Sequence, residues 1–326
     1  MKNKKIVITG GAGFIGSNLA TYFENLGADV LVVDIFRTGE RFDNGNLKSF
    51  GHYKNLLKFG GRVLEGDIND KKTLKSIAKF KPDAIFHEAA ISDTTVNDQS
   101  IMIKTNLNAF ADLLEICKKI DAKMIYASSA ATYGNAKSPQ KIWQSEEPRN
   151  VYGFSKLMMD KLALKYHEKI HCIGLRYFNV YGENEFFKDK TASMVLQFGL
   201  QILNGQNPRL FEDSDKIKRD FVYIKDIVAI NHLAFLSDKS GVYNAATGVA
   251  RSFQEIVDIL QSELNTNLKC EYIKNPFIKQ YQFHTQADIS LSRQNLSYEP
   301  KFSLEDGIKS YIPEIKKIYE SIKNEA

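Results

Sequence analysis

The stretch that most restricts the fold lies at the start of the chain. A β-branched run, Lys5-Ile6-Val7-Ile8-Thr9, passes without a gap into Gly10-Gly11-Ala12-Gly13-Phe14-Ile15-Gly16, and helix-forming residues follow over 17–26. A second short apolar run, 29–33, ends in Asp34. Strand, glycine loop, helix and strand in this order predict a Rossmann-type, doubly wound parallel α/β sheet. Glycines at 10, 13 and 16 allow a tight turn, close approach to a pyrophosphate and helix–sheet packing. The free N–H groups of the helix N-terminus attract the anion. Gly10, Gly13, Phe14, Ile15 and Gly16 are therefore expected against a dinucleotide, with Asp34 and Ile35 at its ribose.

The cofactor's identity stays open at this point. An acid ending the second strand accepts from ribose hydroxyls, as NAD requires. Arg37 and Arg41 follow, and a guanidinium there can pair with the extra phosphate of NADP.

The alternation continues. Strands are expected at 62–65, 83–87, 123–127 and 170–176, and helices at 71–79 and 96–119. Strand ends of a parallel sheet face the ligand crevice. That places Asp67 and Ile68, then Glu88, Ala89, Ala90 and Ser92, and then Ser128 and Ser129 along it. Asn106 interrupts an apolar helical period and is expected to bond the cofactor or the sheet, whereas His87 reads as a core residue.

Tyr152 and Lys156 are four apart and share a helix face. A phenol is a weak base at neutral pH, with a pKa of about 10. A nearby ammonium is expected to lower it and make the pair a proton carrier for a substrate hydroxyl. The spacing alone is common; the dinucleotide loop and Ser129 give it weight.

Beyond residue 178 the alternation loosens. Short strands at 209–211, 219–223 and 242–245 and helices at 191–203, 226–236, 253–264 and 304–321 predict a smaller lobe. The expected division is 1–178 for the NAD(P)-binding domain and 179–326 mainly for a substrate lobe interleaved with it. Of 326 residues, 43% are hydrophobic and 25% charged, as in soluble globular proteins. A net charge of +5 with scattered lysines forms no nucleic-acid stripe. Three distant cysteines, Cys117, Cys172 and Cys270, suggest neither a metal site nor a disulfide framework. The expectation is a cytoplasmic enzyme without metal, membrane span or nucleic-acid partner.

Longer motifs carry a resemblance over roughly residues 5 to 315. They are His87-Glu88-Ala89-Ala90, Ser92-Asp93-Thr94-Thr95, Tyr126-Ala127-Ser128-Ser129-Ala130-Ala131-Thr132-Tyr133-Gly134 and Arg176-Tyr177-Phe178-Asn179-Val180-Tyr181-Gly182. Lys188 with Thr191-Ala192-Ser193-Met194, then Lys218-Arg219-Asp220-Phe221-Val222-Tyr223, Tyr281-Gln282 and Thr285-Gln286-Ala287-Asp288 add to them. With these the chain resembles the extended short-chain dehydrogenase/reductase superfamily and, within it, the ADP-heptose 6-epimerases.

The resemblance implies inversion at C6 of an ADP-activated heptose, by oxidation and re-reduction on a tightly held nicotinamide cofactor, for lipopolysaccharide heptose supply. Tyr152 and Lys188 would be the two proton carriers, with Lys156 and Ser129 assisting. A lysine serves as a base when burial or a second cation lowers its pKa; Lys190 is the nearby cation. Arg41 matches a cationic position of an NADP pocket, so NADP is implied, with NAD as the alternative. Lys71, Asn106, Val180 and Lys188 would join the cofactor contacts. Ser92, Ser129, Asn179, Lys190, Gln197, Phe211, Glu212, Asp213, Ser214, Arg219 and Tyr281 would hold the ADP-sugar, Arg219 as a pyrophosphate clamp. Phe187 and Lys190 depart from the familiar pattern, which has a polar residue and a serine there. A homo-oligomer is usual among such relatives.

Three other functions compete. A 4,6-dehydratase needs an Asp-Glu pair where Ala130 and Ala131 stand, and so is disfavoured. A UDP-hexose 4-epimerase would use the serine, tyrosine and lysine but not Lys188. A non-catalytic dinucleotide-binding protein would not need Tyr152, Lys156 and Ser129 together.

Overall fold

The chain is seen here in a computed structural model that describes residues 1–36, 50–274 and 283–325. The first half alternates as expected: β1 (Lys5–Thr9), α1 (Phe14–Asn25), β2 (Asp29–Asp34), β3 (Arg62–Glu65), α2 (Lys71–Phe80) and β4 (Ala84–His87). Next come α3 (Gln99–Met102), a π-helical segment (Ile103–Asn108), α4 (Ala109–Ile120), β5 (Lys123–Ser129), α5 (Val151–Leu164) and β6 (Cys172–Tyr177). The expected single helix from 96 thus starts three residues later, because the Asp98 carboxylate caps it by accepting from the Ile101 N–H at 3.0 Å.

The second half holds β7 (Asn179–Tyr181), α6 (Met194–Leu203), β8 (Arg209–Phe211), β9 (Lys218–Tyr223), α7 (Ile224–Leu236) and β10 (Gly241–Ala245). It ends with β11 (Ala250–Ser252), α8 (Phe253–Leu264), β12 (Glu271–Ile273), α9 (Ser290–Leu296) and α10 (Leu304–Glu325). The three-residue strands β7, β11 and β12 and the seven-residue α9 are too short to show a period, and the sequence does not reveal them.

Seven parallel strands form the main sheet in the order β10-β6-β5-β4-β1-β2-β3. A parallel sheet is covered on both faces, and its strands read as continuous apolar runs. Ile6, Ile8, Phe86, Ile125 and Ile173 point into one core, while Val7, Ile85, Met124 and Cys172 point into the other. β10 comes from the second half of the chain yet pairs with β6 in the main sheet. Two small sheets, β11-β9-β7 and β12-β8, make up the lobe. Cys117 and Cys172 are buried, but Cys270 is only partly so. No helix among the described residues is long and apolar enough to cross a membrane.

Candidate active site

A cavity of about 690 Å³ lies beyond the C-terminal ends of the central strands. Its floor is the glycine loop. Gly10 has φ +67°, and a Cβ there would sit 2.6 Å from the Ala89 nitrogen; one on Gly16 would collide with the Gly10 carbonyl. No side chain caps α1 at Gly13, so its first N–H groups remain for an anion. This cradle fits a dinucleotide. Gly10, Gly13, Phe14, Ile15 and Gly16 line the cavity, as do Asp34, Ile35, Asp67 and Ile68. So do Glu88, Ala89, Ala90, Ser92, Ser129, Tyr152, Lys156, Val180, Lys188 and Lys190.

Several expected contacts do not line it. Lys71 is exposed at the start of α2. Asn106 is fully buried behind the wall. Its amide accepts from the Ile91 N–H (2.8 Å) and donates to the Ile91 carbonyl (3.1 Å) and the Ser155 hydroxyl (3.0 Å), so it braces the loop after β4. Arg37, Arg41, Tyr281 and Gln282 lie outside the described residues. The Asp34 carboxylate, 6% exposed, accepts from the backbone N–H of Ala12 at 3.0 Å and of Phe36 at 3.1 Å. It thereby shapes the loop as well as lining the cavity.

Tyr152 and Lys156 sit in an unusual electrostatic setting. Asn150 caps α5, accepting from the Gly153 N–H at 2.8 Å, which starts the helix one residue before Tyr152. Lys156, 1% exposed, donates from Nζ to the Ala127 carbonyl at 2.7 Å and lies 5.9 Å from the centre of the Tyr152 ring. Burial lowers its pKa to about 8, against the pull of Glu88 and Asp160. The expected depression of the Tyr152 pKa is not found. Burial raises it and Glu88 raises it further, while the neighbouring Ser129 hydroxyl works the other way. The reason is geometric: the ammonium points at a backbone carbonyl, and desolvation of the phenolate dominates.

Glu88 is an acid-base group in its own right. Burial lifts its pKa to about 7, opposed by the Tyr177 hydroxyl, which donates to Oε1 at 3.0 Å, and by Lys156. Asn231 Nδ2 in turn donates to the Tyr177 hydroxyl at 2.9 Å. His87 is a core residue, as expected. It is buried, pairs with Thr9 Oγ1 at 2.8 Å and stacks on Phe110, and burial holds its pKa near about 3.

Lys188 reaches the cavity from a 3-10 turn, Phe186–Thr191. Glu185, fully buried, anchors that turn. Its carboxylate accepts from the Gly182 N–H (3.1 Å), the Ser193 N–H (2.6 Å) and the Ser193 hydroxyl (2.7 Å). Lys188 Nζ lies 5.3 Å from the centre of the Phe14 ring. Burial lowers its pKa, and Glu185 opposes the shift. Desolvation, not the Lys190 charge, is thus the cause.

The remaining sugar-nucleotide candidates are on the lobe and do not line the cavity. Asn179, Glu212 and Asp213 are exposed, Asp213 pairing with Lys216 at 2.6 Å. Gln197 donates to the Ala192 carbonyl at 2.7 Å, and Phe211 ends β8. Ser214 is buried. Arg219, also buried, donates to the Lys218 carbonyl at 2.9 Å and stands 5.8 Å from the centre of the Phe253 ring. Their grouping with the cavity depends on how β8, β9 and α6 pack, which local sequence does not encode.

Other contributors escaped the sequence. Asp160 carries a detectable signal, four residues after Lys156 on the same face of α5. Its carboxylate takes Arg176 Nε at 2.9 Å and the Tyr126 hydroxyl at 3.0 Å. Glu185 and Asn231 show no local pattern.

Comparison with known proteins agrees with this geometry. The model of the NAD dependent epimerase/dehydratase family matches residues 6–246. The ADP-L-glycero-D-manno-heptose-6-epimerase of Brachyspira hyodysenteriae is 37% identical, over 96% of this chain and 98% of that protein. The crystal structure of the Helicobacter pylori protein of the same name is 48% identical, covers 97% of each chain and superposes with a TM-score of 0.90. A Thermotoga maritima UDP-glucose 4-epimerase is more distant, 26% identical with a TM-score of 0.85 over 96% of this chain and 99% of that one. The glycine cradle, the Tyr152/Lys156 helix and the family match over most of the chain together make it a member of the NAD dependent epimerase/dehydratase family.

Proposed function

We propose that this protein epimerises ADP-glycero-manno-heptose at C6, from D-glycero to L-glycero, in the supply of heptose for lipopolysaccharide. One observation carries the reading: Tyr152 and Lys188, on separate elements, both line the same cavity. Two proton carriers on separate elements fit an inversion in which each face of the transient ketone is served by its own group. A UDP-hexose 4-epimerase would leave Lys188 without a task.

The glycine cradle would hold a nicotinamide dinucleotide, which would supply the hydride chemistry at C6. The chain's own residues handle the proton. Tyr152, held by α5 and next to the Ser129 hydroxyl, gives or takes it on one face. Lys188, partly desolvated, does so on the other. Lys156 is held on the same helix by its bond to the Ala127 carbonyl, 5.9 Å from the centre of the Tyr152 ring. Ala130 and Ala131 provide no acid-base pair for eliminating water.

For the cofactor we favour NADP over NAD. The Asp34 carboxylate already takes two backbone N–H groups, which weakens its case as a ribose acceptor, and Arg41 follows it in sequence. The segment 179–326 is assigned mainly to sugar-nucleotide binding, with Arg219 as the diphosphate clamp. We assign the reaction to the cytoplasm and the protein to a homo-oligomer, on the resemblance to such enzymes. The test is proton NMR of the purified protein with ADP-D-glycero-D-manno-heptose and no added cofactor, beside UDP-galactose. Inversion of the heptose alone is expected. Turnover of UDP-galactose instead would transfer the assignment to the 4-epimerases.

A further inference from the structure

Two segments that line the cavity meet through a pair of rings. Phe50 and Gly51 line it on one segment, and Lys188 to Thr191 on the other. Next to them, the His52 and Phe187 rings stack with centroids 3.6 Å apart and planes 5° from parallel.

Each ring is held from behind. The His52 N–H donates to the Ala12 carbonyl at 3.0 Å, and the Asn55 amide donates to the same oxygen at 3.0 Å. The histidine segment is thereby fastened to the glycine loop itself. His52 Nδ1 accepts from the Lys54 N–H at 3.1 Å, which leaves the flat face of the ring to Phe187. Gly51 packs directly on the Asp34 carboxylate, so a Cβ there would collide with it. On the other side, Glu185 anchors the turn two residues before Phe187, and Phe186 meets Phe187 edge-on at 5.2 Å. Asp189, two residues after Phe187, has φ +53° and ψ −128°, a conformation non-glycine residues seldom adopt.

We propose that the His52–Phe187 stack is a clasp over the dinucleotide cradle that retains the cofactor between turnovers and positions the adjacent Lys188. The inference rests on the reading of Lys188 and of a bound nicotinamide given above. A reaction with no net oxidation gives its cofactor no reason to leave. A contact joining the glycine loop to the base-bearing turn keeps it in place and fixes the base by the same interaction. His52 is a positioning residue: it acts through Phe187 on the neighbouring lysine. At position 187, where a polar residue is familiar, the phenyl ring gives His52 a flat apolar partner.

The test uses the full-length protein with its dinucleotide bound. Release is followed by fluorescence after dilution into a large excess of an enzyme that consumes free dinucleotide. An aromatic pair of this kind predicts release faster by roughly three- to tenfold in His52→Ala and in Phe187→Ala. The double variant should release no faster than either single one, since one contact is lost in all three. Turnover should fall in the alanine variants by a larger factor than KM rises, because Lys188 is displaced while the sugar contacts outside the Phe186–Thr191 turn are not. His52→Phe, which can stack, should restore both release and turnover. Folding is checked by far-UV circular dichroism. Wild-type release in His52→Ala, or release in His52→Phe as fast as in His52→Ala, would overturn the clasp. Wild-type protein that takes up no nicotinamide dinucleotide would overturn the proposed function itself, a result recognisable before any variant is made.

Discussion

Lys156→Met tests how much stability the protein gives up for a buried ammonium. Lys156 is 1% exposed, and its pKa falls from 10.5 to about 8. Each pKa unit corresponds to about 1.4 kcal/mol, so the charged form costs about 3 kcal/mol in the folded state. Against this stands the 2.7 Å bond to the Ala127 carbonyl, a charge-assisted contact of about 1.5–3 kcal/mol. Methionine of similar volume removes both. At pH 7 the variant should equal the wild type or exceed it by about 1 kcal/mol, while losing activity. The pH dependence is sharper. Between about pH 8 and 10.5 the unfolded lysine still binds its proton while the folded one has lost it, so wild-type stability rises with pH through that window. The variant has no such term. The difference should therefore move by about 3 kcal/mol in favour of the wild type from pH 7 to pH 11. Urea denaturation of cofactor-stripped protein over this range measures it. A difference that stays constant with pH would refute the burial argument.

Three further outcomes are expected. Tyr152→Phe should lower turnover about 10²- to 10⁴-fold with unchanged thermal unfolding, the usual contribution of a positioned acid-base group; NMR of the heptose product measures it. Lys188→Met should abolish net inversion at C6, measured by NMR of the heptose; full epimerisation would sink the two-base scheme. Asp160→Ala should destabilise the fold by about 3–5 kcal/mol, because it strips one carboxylate from a buried guanidinium. The Arg176 side chain has no exposed surface and pairs with Asp160 at 2.9 Å, and the drop in urea midpoint reports the cost.

Much of the cradle could be read directly from the chain. A loop with glycines at 10, 13 and 16 between two apolar strands has few other structural solutions, and each residue expected from it lines the cavity. Tyr152 and Lys156 were legible for the same reason, as helix spacing fixes which face they share. Lys188 was not legible from local pattern. It emerged from resemblance, and only the buried Glu185 beneath its turn gives it a physical setting. Asn106 shows the reverse error. A polar residue on an apolar helical period signals a buried partner but does not say whether that partner is a ligand or a loop; here it is the Ile91 backbone.

By itself, then, the sequence determined the periodic elements, the parallel sheet and the residues at its strand ends, because these follow from repeats of two and 3.6 and from glycine's conformational freedom. The return of β10 to the main sheet, the His52–Phe187 contact and the sign of the Tyr152 shift were decided only by tertiary structure. Each depends on which distant segments come together and on how much water they exclude. Desolvation is a property of the assembled neighbourhood, and no spacing along the chain encodes it.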